Sequence, residues 1–482
     1  MKMTVWLKHA FNHLQHGSLE TLCEVTSQRL HVGEAAPEEH RIAPRYFTQV
    51  GYSLLGSLAA ILASGQGIPA LAQMPTLSEK ILGMERSLET EFETYFEQNL
   101  ADVTQTPEDI ANTLSRIGQE TGTTPAVLWA IPRGDHLHLV LITPDGEPIV
   151  RDLYDVPNAV LLKTIRTFQK NISHANNHTY LRSAQQLHQW LLAPFEAEFL
   201  ETAGVDMLLV CLGDGIRGLS MSALHDGNQF LIEKYSLTQI PAFNLIKTDY
   251  DSLQQGQVLA MGSSEFEHQT PLPAVPMELA NVLWELRSAR TTQAPWEGRS
   301  LLNQGFTLDN VNTLLANRGF DIVHLATHAA FKPGQPNNSY VQLWDTKLSL
   351  DQLRGLKWQD SPELLVLSAC ETAIGDPEAE LGFAGVALQS GAKSAVASLW
   401  DVSDVGTMAL MSEFYQGLTA MPTKAEALQQ AQLKMLRGDV HLAANRLKLS
   451  RGEVSLPMDL DGHENLSHPF YWAGFTMISS PW

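Results

Sequence analysis

The chain has 482 residues, a formal net charge of −21 and 44% hydrophobic residues, the profile of a globular protein of two domains, or one large domain with a tail, that can bury a sizeable core. Its acidity, with no stripe of clustered Lys and Arg, argues against a nucleic-acid surface, which must set basic groups against phosphates. Cys23, Cys211 and Cys370 are too few for a disulfide framework, and with no CxxC pair and no HExxH neither a thiolate zinc centre nor metal catalysis is expected.

Residues 1–73 form a polar extension ending in a signal-like or membrane-targeting segment. Residues 1–72 carry five basic and five acidic side chains, so the net charge lies beyond them. The apolar run "YSLLGSLAAILASG" follows Arg41 and Arg45, and Ala70-Leu71-Ala72 before Gln73 fits the small-residue pattern of a signal-peptidase site. Gln66 and Pro69 interrupt the run before it could span a bilayer. Two readings stay open. Either the chain is exported to a periplasm or lumen after cleavage near Ala72, losing Cys23, or the segment is internal and the protein is cytoplasmic. Membrane contact is expected only through residues 52–72, if they are not removed.

Residues 74–125 read as a helical region. Apolar positions Ile81, Leu82, Met84, Leu88, Phe92, Tyr95 and Phe96 recur at helical spacing. A second helix follows, with Thr106 as cap, Pro107 in the first turn and Gly122 past its end. Residues 126–262 begin with the β-like runs "PAVLWAI", "HLHLVLI" and "EPIVRDLY", return to helical spacing over 157–203, and end with "DMLLVCL" and "GQVLAMG", short apolar runs of the kind that form buried parallel strands. Over 263–482 helices and strands alternate: "PMELANVLWELRS", "TLDNVNTLLANRG", "DIVHLAT", "SLDQLRGL", "PELLVLS", "LGFAGVALQSG", "KSAVASLW" and "SDVGTMALMSEFYQGL". Such alternation implies an α/β fold with a mostly parallel central sheet flanked by helices on both faces.

Chemistry in such sheets gathers beyond the carboxyl ends of the strands. His328 and Cys370, 42 residues apart, stand at the ends of two successive strands, with room between them for one crossover. Cys370 is either a small buried hydrophobe or a nucleophile. If a helix starts beside it, the dipole lowers its pKa, and His328 can serve as general acid/base. Backbone N–H groups at Ala329 and Cys370 would then hold an oxyanion. Glu371 would raise the thiol pKa unless it turns away to cap the helix. His324, inside its strand, reads as a hydrogen-bonded core histidine. "GDGIRG" (Gly213, Gly215, Gly218) fits GxGxxG, but no long amphipathic helix follows, and neither a P-loop nor GxSxG is present.

"DIVHLATHAAF", "LLVLSACETAIGD", "GFAGVALQSGAKSAVASLWDVSD" and the terminal "HPFYWAGFTMIS", together with the upstream "LSMSALHDGNQFLIEKYSLTQIPAFNLI", closely resemble the CHAT domain (caspase-HetF associated with TPRs) over about residues 120–482. The resemblance implies a caspase-like fold, with residues 126–262 its first, non-catalytic half and 263–482 the catalytic half. It implies a bacterial source, cyanobacteria being rich in such proteins. It further implies a cysteine endopeptidase of the caspase, separase and gingipain type, with His328 and Cys370 as catalytic pair, a protein or peptide substrate and no cofactor. Ala329 stands where the family often has Gly, and Ser220 where it usually has Pro. The TPR repeats of many members are not visible, so a regulatory partner would use other residues, such as 74–125. "SLWDVSD" is similar to a separase stretch, and separase cuts after Arg. Asp401 and Asp404 would accordingly receive a basic P1 side chain, the alternative being that Asp404 caps the helix starting at Val405. Activity would be gated by a partner or by self-cleavage. Against the peptidase stands a catalytically silent signalling or scaffold module on the same fold.

Overall fold

The two N-terminal helices form where their caps are written. The computed structural model describes residues 75–482 except 101, 145, 254, 289–295, 373–374, 444 and 457–464, and of Ala369, Cys370 and Glu371 it describes the backbone. The signal-like segment, Cys23 and the expected cleavage near Ala72 lie outside the described residues. Helices α1 (Leu77–Phe96) and α2 (Pro107–Thr121) each start with a capping box, Thr76 with Glu79 and Thr106 with Asp109. Gly122 ends α2 at φ 79°, which a residue without Cβ adopts at no steric cost. The apolar stripe of α1, including Ile81, Leu88 and Phe92, is buried. Within it Glu85 is fully buried and accepts from Trp129 Nε1 at 2.6 Å, from the backbone N–H of Phe243 at 3.2 Å and Asn244 at 3.0 Å, and from Asn244 Nδ2 at 3.0 Å. Four donors satisfy one carboxylate and fasten α1 to the sheet.

Strands β1 (Pro125–Pro132), β2 (Leu137–Ile142) and β3 (Ile149–Leu153) form an antiparallel meander. After α3 (Asn158–Ile172) and α4 (Tyr180–Leu191), β4 (Met207–Leu212) runs parallel to β1, and β5 (Ser236–Gln239) parallel to β4. There follow β6 (Gln257–Gly262), α5 (Val275–Arg287), β7 (Glu297–Leu302), α6 (Leu308–Asn317), β8 (Ile322–Phe331), the short β9 (Tyr340–Gln342) and β10 (Lys347–Ser349), α7 (Leu350–Leu353) and β11 (Leu364–Thr372). The chain continues through α8 (Pro377–Ala384), α9 (Val386–Ser390), β12 (Ser394–Ser398), α10 (Asp404–Leu418), α11 (Lys424–Arg437), a small antiparallel sheet of β13 (His441–Ala443), β14 (Arg446–Leu449) and β15 (Gly452–Ser455), and finally β16 (Phe475–Ser479).

The main sheet runs β7-β6-β8-β11-β12-β16-β5-β4-β1-β2-β3, with the β9–β10 ribbon on the far end of β8. Seven neighbouring pairs are parallel: β6/β7, β6/β8, β8/β11, β11/β12, β16/β5, β4/β5 and β1/β4. Every residue of β4 and β12 is buried, so both faces of the sheet centre are covered, as a parallel sheet requires. The fold is the α/β arrangement expected from the alternation of elements, and residues Pro75–Trp482 form one compact unit. Among the described residues no helix is long and apolar enough to cross a membrane.

Two local expectations change. Gly385, whose added Cβ would lie 2.4 Å from the Phe96 ring, breaks "LGFAGVALQSG" into α8 and α9. The family resemblance implies a core strand over "HPFYWAGF", but Pro469–Tyr471 is a 3₁₀ turn and the strand runs over Phe475–Ser479. Its His468 holds the turn: Nε2–H donates to Asn177 O at 3.0 Å and Nδ1 accepts from Phe470 N–H at 3.1 Å.

Candidate active site

Strands β8 and β11 run side by side past the point where their other partners stop. β6 pairs with β8 only as far as Ala326, and β12 with β11 only as far as Val366. Between β8 and β11 the register is regular from Ile322↔Leu364 to Leu325↔Leu367. It then slips, and resumes as His328↔Ala369 and Ala329↔Cys370. β8 therefore uses one residue more than β11 across the slip, a bulge of the kind that redirects a strand end at a site. Cys370 lies directly beside Ala329 and diagonally to His328, with Cα atoms roughly 6 Å apart from ordinary sheet spacings. The strands expected to be neighbours are neighbours.

The strands are longer than the sequence suggests. They were expected to stop before His328 and Cys370, with a helix opening at Cys370; they continue to Phe331 and Thr372. β9 pairs with Ala329 and Ala330 and holds this extension straight. The next helix, α8, starts only at Pro377, and its cap is Asp376, which accepts from the backbone N–H of Glu378 and Ala379. Glu371 is not that cap, and a helix dipole does not act directly at Cys370.

His328 is half-buried, and its orientation is set from outside the sheet. Nε2 lies 2.8 Å from Thr270 O, and the Phe266 ring packs at 4.6 Å between centroids. A carbonyl only accepts, so Nε2 carries the hydrogen and Nδ1 is left to exchange a proton. The 263–274 loop that brings Thr270 is itself tied down. Ser264 N–H donates to Asn303 Oδ1 at 2.8 Å and Leu272 N–H to Ser264 O at 3.0 Å. Gly262 begins the loop because a Cβ there would sit 2.4 Å from Ala326 O.

Beneath His328 the same strand carries a second, fully buried histidine. His324 Nε2 meets Glu278 Oε1 of α5 at 3.0 Å, and its Nδ1 accepts from the Tyr415 hydroxyl of α10 at 3.0 Å. It is the core histidine the sequence suggested. Close to Glu278, Asp404 Oδ2 accepts from Ala274 N–H, just before α5, at 2.7 Å. Asp404 thus joins α10 to α5, while its own helix is capped by Ser403 instead. Burial first, then the Glu278 charge, push Asp404 up to about 6. The folded state therefore favours its neutral form. The stability this acid contributes is complete below its unfolded value near 3.8 and is lost as pH rises through about 6. Asp404→Asn keeps an acceptor for Ala274 and removes the charge. It is expected to stabilise the protein by about 1–3 kcal/mol at pH ~8 and by much less at pH ~4, as thermal melts at the two pH values would report.

The neighbouring strand ends complete the surroundings. After β12, Leu399 N–H donates to Gly474 O at 2.8 Å and Trp400 Nε1 to Phe470 O at 3.1 Å, which explains why the terminal motif supplies both an aromatic turn and a glycine. Between these anchors and Ser403, Asp401 is exposed. After β11, Gly375 N–H donates to Glu380 Oε1 at 2.9 Å. Glu380 is fully buried, and burial raises its pKa against the nearby Arg217 charge. Arg217 is itself buried, pairs with Glu91 and lies over the Phe92 ring. Gly213, Gly215 and Gly218 thus belong to a loop packed against the stretch following Cys370, where a Cβ on Gly218 would lie 2.7 Å from Glu380 Oε1. Thr270, Phe266, Glu380 and Arg217 escaped the sequence reading. Thr270 acts through its backbone carbonyl, which carries no residue signature, whereas a buried Arg in a glycine loop was a usable sign.

On β4, Cys211 is fully buried, its Sγ–H faces Pro241 O at 3.2 Å, and burial pushes its pKa well up. The CHAT domain matches residues 181–480 of the chain. No curated protein matches its sequence. The Saccharomyces cerevisiae separase–securin complex is similar at 10% identity and a TM-score of 0.48 over 85% of this chain and 34% of that one. The chain thus spans about a third of that structure. The complex of Porphyromonas gingivalis RgpB pro- and mature domains is similar at 13% identity and a TM-score of 0.38, over 68% of this chain and 77% of that one. The Arg-specific cysteine proteinase gingipain R (RgpB) gives 13% and 0.38, over 67% and 74%.

Proposed function

The chain belongs to the CHAT domain family, and from that premise we propose that it is a cysteine endopeptidase with Cys370 as nucleophile and His328 as general acid/base. The observation that carries the reading is the β8/β11 register, with Cys370 beside Ala329 and next to a histidine whose Nε2–H is committed to Thr270 O. In this mechanism His328 Nδ1 takes the Cys370 proton. The thiolate sulfur attacks the scissile carbonyl carbon, and the N–H groups of Ala329 and Cys370 receive the oxyanion. His328 returns the proton to the leaving amine. Water then cleaves the thioester, releasing the acid and restoring the thiol. Asp401, exposed after β12, would meet a basic P1 side chain, and Asp404, with one oxygen held by Ala274, would add to its field. Protein substrates, a regulatory partner and export after cleavage near Ala72 belong to the same proposal.

Thiol labelling tests it. At about pH 6–7 an activated Cys370 should react with iodoacetamide at least roughly tenfold faster than buried Cys211, with modified peptides counted by mass spectrometry. Equal, slow labelling of both would instead favour a silent scaffold.

A further inference from the structure

Six strands from β11, the hairpin at the opposite edge of the sheet gathers two imidazoles and a carboxylate. His136 and His138 straddle Leu137 at the start of β2, and His138 stands directly across from Asp152 on the edge strand β3. Alternation along an extended chain puts residues i and i+2 on one face, and the two histidine rings lie 6.3 Å apart. Asp152 Oδ1 is 2.6 Å from His138 Nδ1 and 3.6 Å from His136 Nε2, and one ligand atom from each of the three residues falls within 4.8 Å of the others. A fourth residue sets the geometry: Asp135 Oδ1 lies 2.7 Å from His136 Nδ1 and accepts its hydrogen, leaving the Nε2 lone pair directed toward Asp152. A carboxylate behind a histidine is the usual outer support of a metal-bound imidazole. The Tyr154 ring covers the other side of His136 at 4.7 Å.

We propose that His136 Nε2, His138 Nδ1 and Asp152 Oδ1 bind a zinc ion that joins β2 to the edge strand β3. Ligand atoms about 2.0–2.1 Å from a tetrahedral zinc lie roughly 3.3–3.5 Å apart. The His136–Asp152 separation already fits, and the His138–Asp152 pair opens by under about 1 Å as its shared proton leaves. Two imidazoles and one carboxylate suit zinc, whereas calcium and magnesium favour all-oxygen sets. The side chains of His136 and His138 are 17% and 24% exposed and that of Asp152 37%, so the ion can enter from solvent and water can complete the shell. At about 4.8 Å per strand the site is roughly 29 Å from β11. It therefore acts on the sheet edge rather than on the bond being cut. Neither a CxxC pair nor HExxH marks it, because its third ligand comes from across the hairpin.

The test uses the full chain carrying Cys370→Ala, so that the proposed nucleophile cannot bind metal, and titrates it with zinc chloride by calorimetry near neutral pH. The His136→Gln/His138→Asn double variant is expected to bind one equivalent fewer, with its metal-free melting temperature close to the parent's. Asp135→Asn, which leaves all three ligands in place, is expected to weaken that equivalent by roughly tenfold or more. Unchanged stoichiometry and affinity in the double variant would overturn the site. If the double variant does not fold, an unweakened Asp135→Asn does so.

Discussion

Replacing His328 by Ala is expected to lower peptide cleavage by about 10²–10⁴-fold, the usual contribution of a positioned acid/base. Among the described residues the half-buried ring has its polar contact with Thr270 O and packs on Phe266. Its loss should therefore cost little stability. Alkylation of Cys370 in the variant should follow the pH dependence of an ordinary thiol, rising toward about pH 8.5, while the wild type reacts at lower pH. This pairing of readouts separates proton chemistry from folding. A variant that cleaves within a factor of a few of the wild type would remove His328 from the mechanism.

The second large effect is on stability and lies one layer deeper. His324→Leu is expected to cost about 3–5 kcal/mol, because it strands the Glu278 carboxylate in the core without its partner. Glu278 is 2% exposed, and its charge is felt at the Asp404 carboxyl, whose pKa it helps to raise. Glu278→Gln removes the buried charge while keeping a polar group facing His324, and should cost only about 1 kcal/mol. The asymmetry is the signature of a buried charge, and equal losses in chemical denaturation would contradict it. Since His324 is buried beneath His328 and does not reach the surface, cleavage per folded molecule should survive in His324→Leu.

Much of this was legible because local chemistry and global fold agree. The stripe and caps of α1 and α2 mark both helices, and the unbroken apolar run of β4 marks a strand buried on both faces. His328 and Cys370 stood out because reactive residues ended two successive strands. The reach of those strands was not legible: nothing in "THAAF" or "ACET" announces the ribbon β9 that keeps the backbone extended. The edge strand β7, "EGRSLL", is largely exposed and lacks alternation, so it passed unnoticed, as did the three-residue strands β9 and β10. The sequence offers Asp404 as an acceptor for a basic P1 side chain or, alternatively, as the cap of its own helix; that cap is Ser403, and Asp404 accepts from Ala274 just before α5, a contact across 130 residues. Pairings of that span leave no periodic trace.

The central claim is that Cys370 cuts peptide bonds. The most direct measurement incubates the full chain, wild type and Cys370→Ala, with a diverse peptide library and reads the new termini by mass spectrometry. The account predicts cleavage by the wild type alone, with basic residues enriched at P1 if Asp401 faces that side chain. Cleavage by both proteins at the same sites would contradict it.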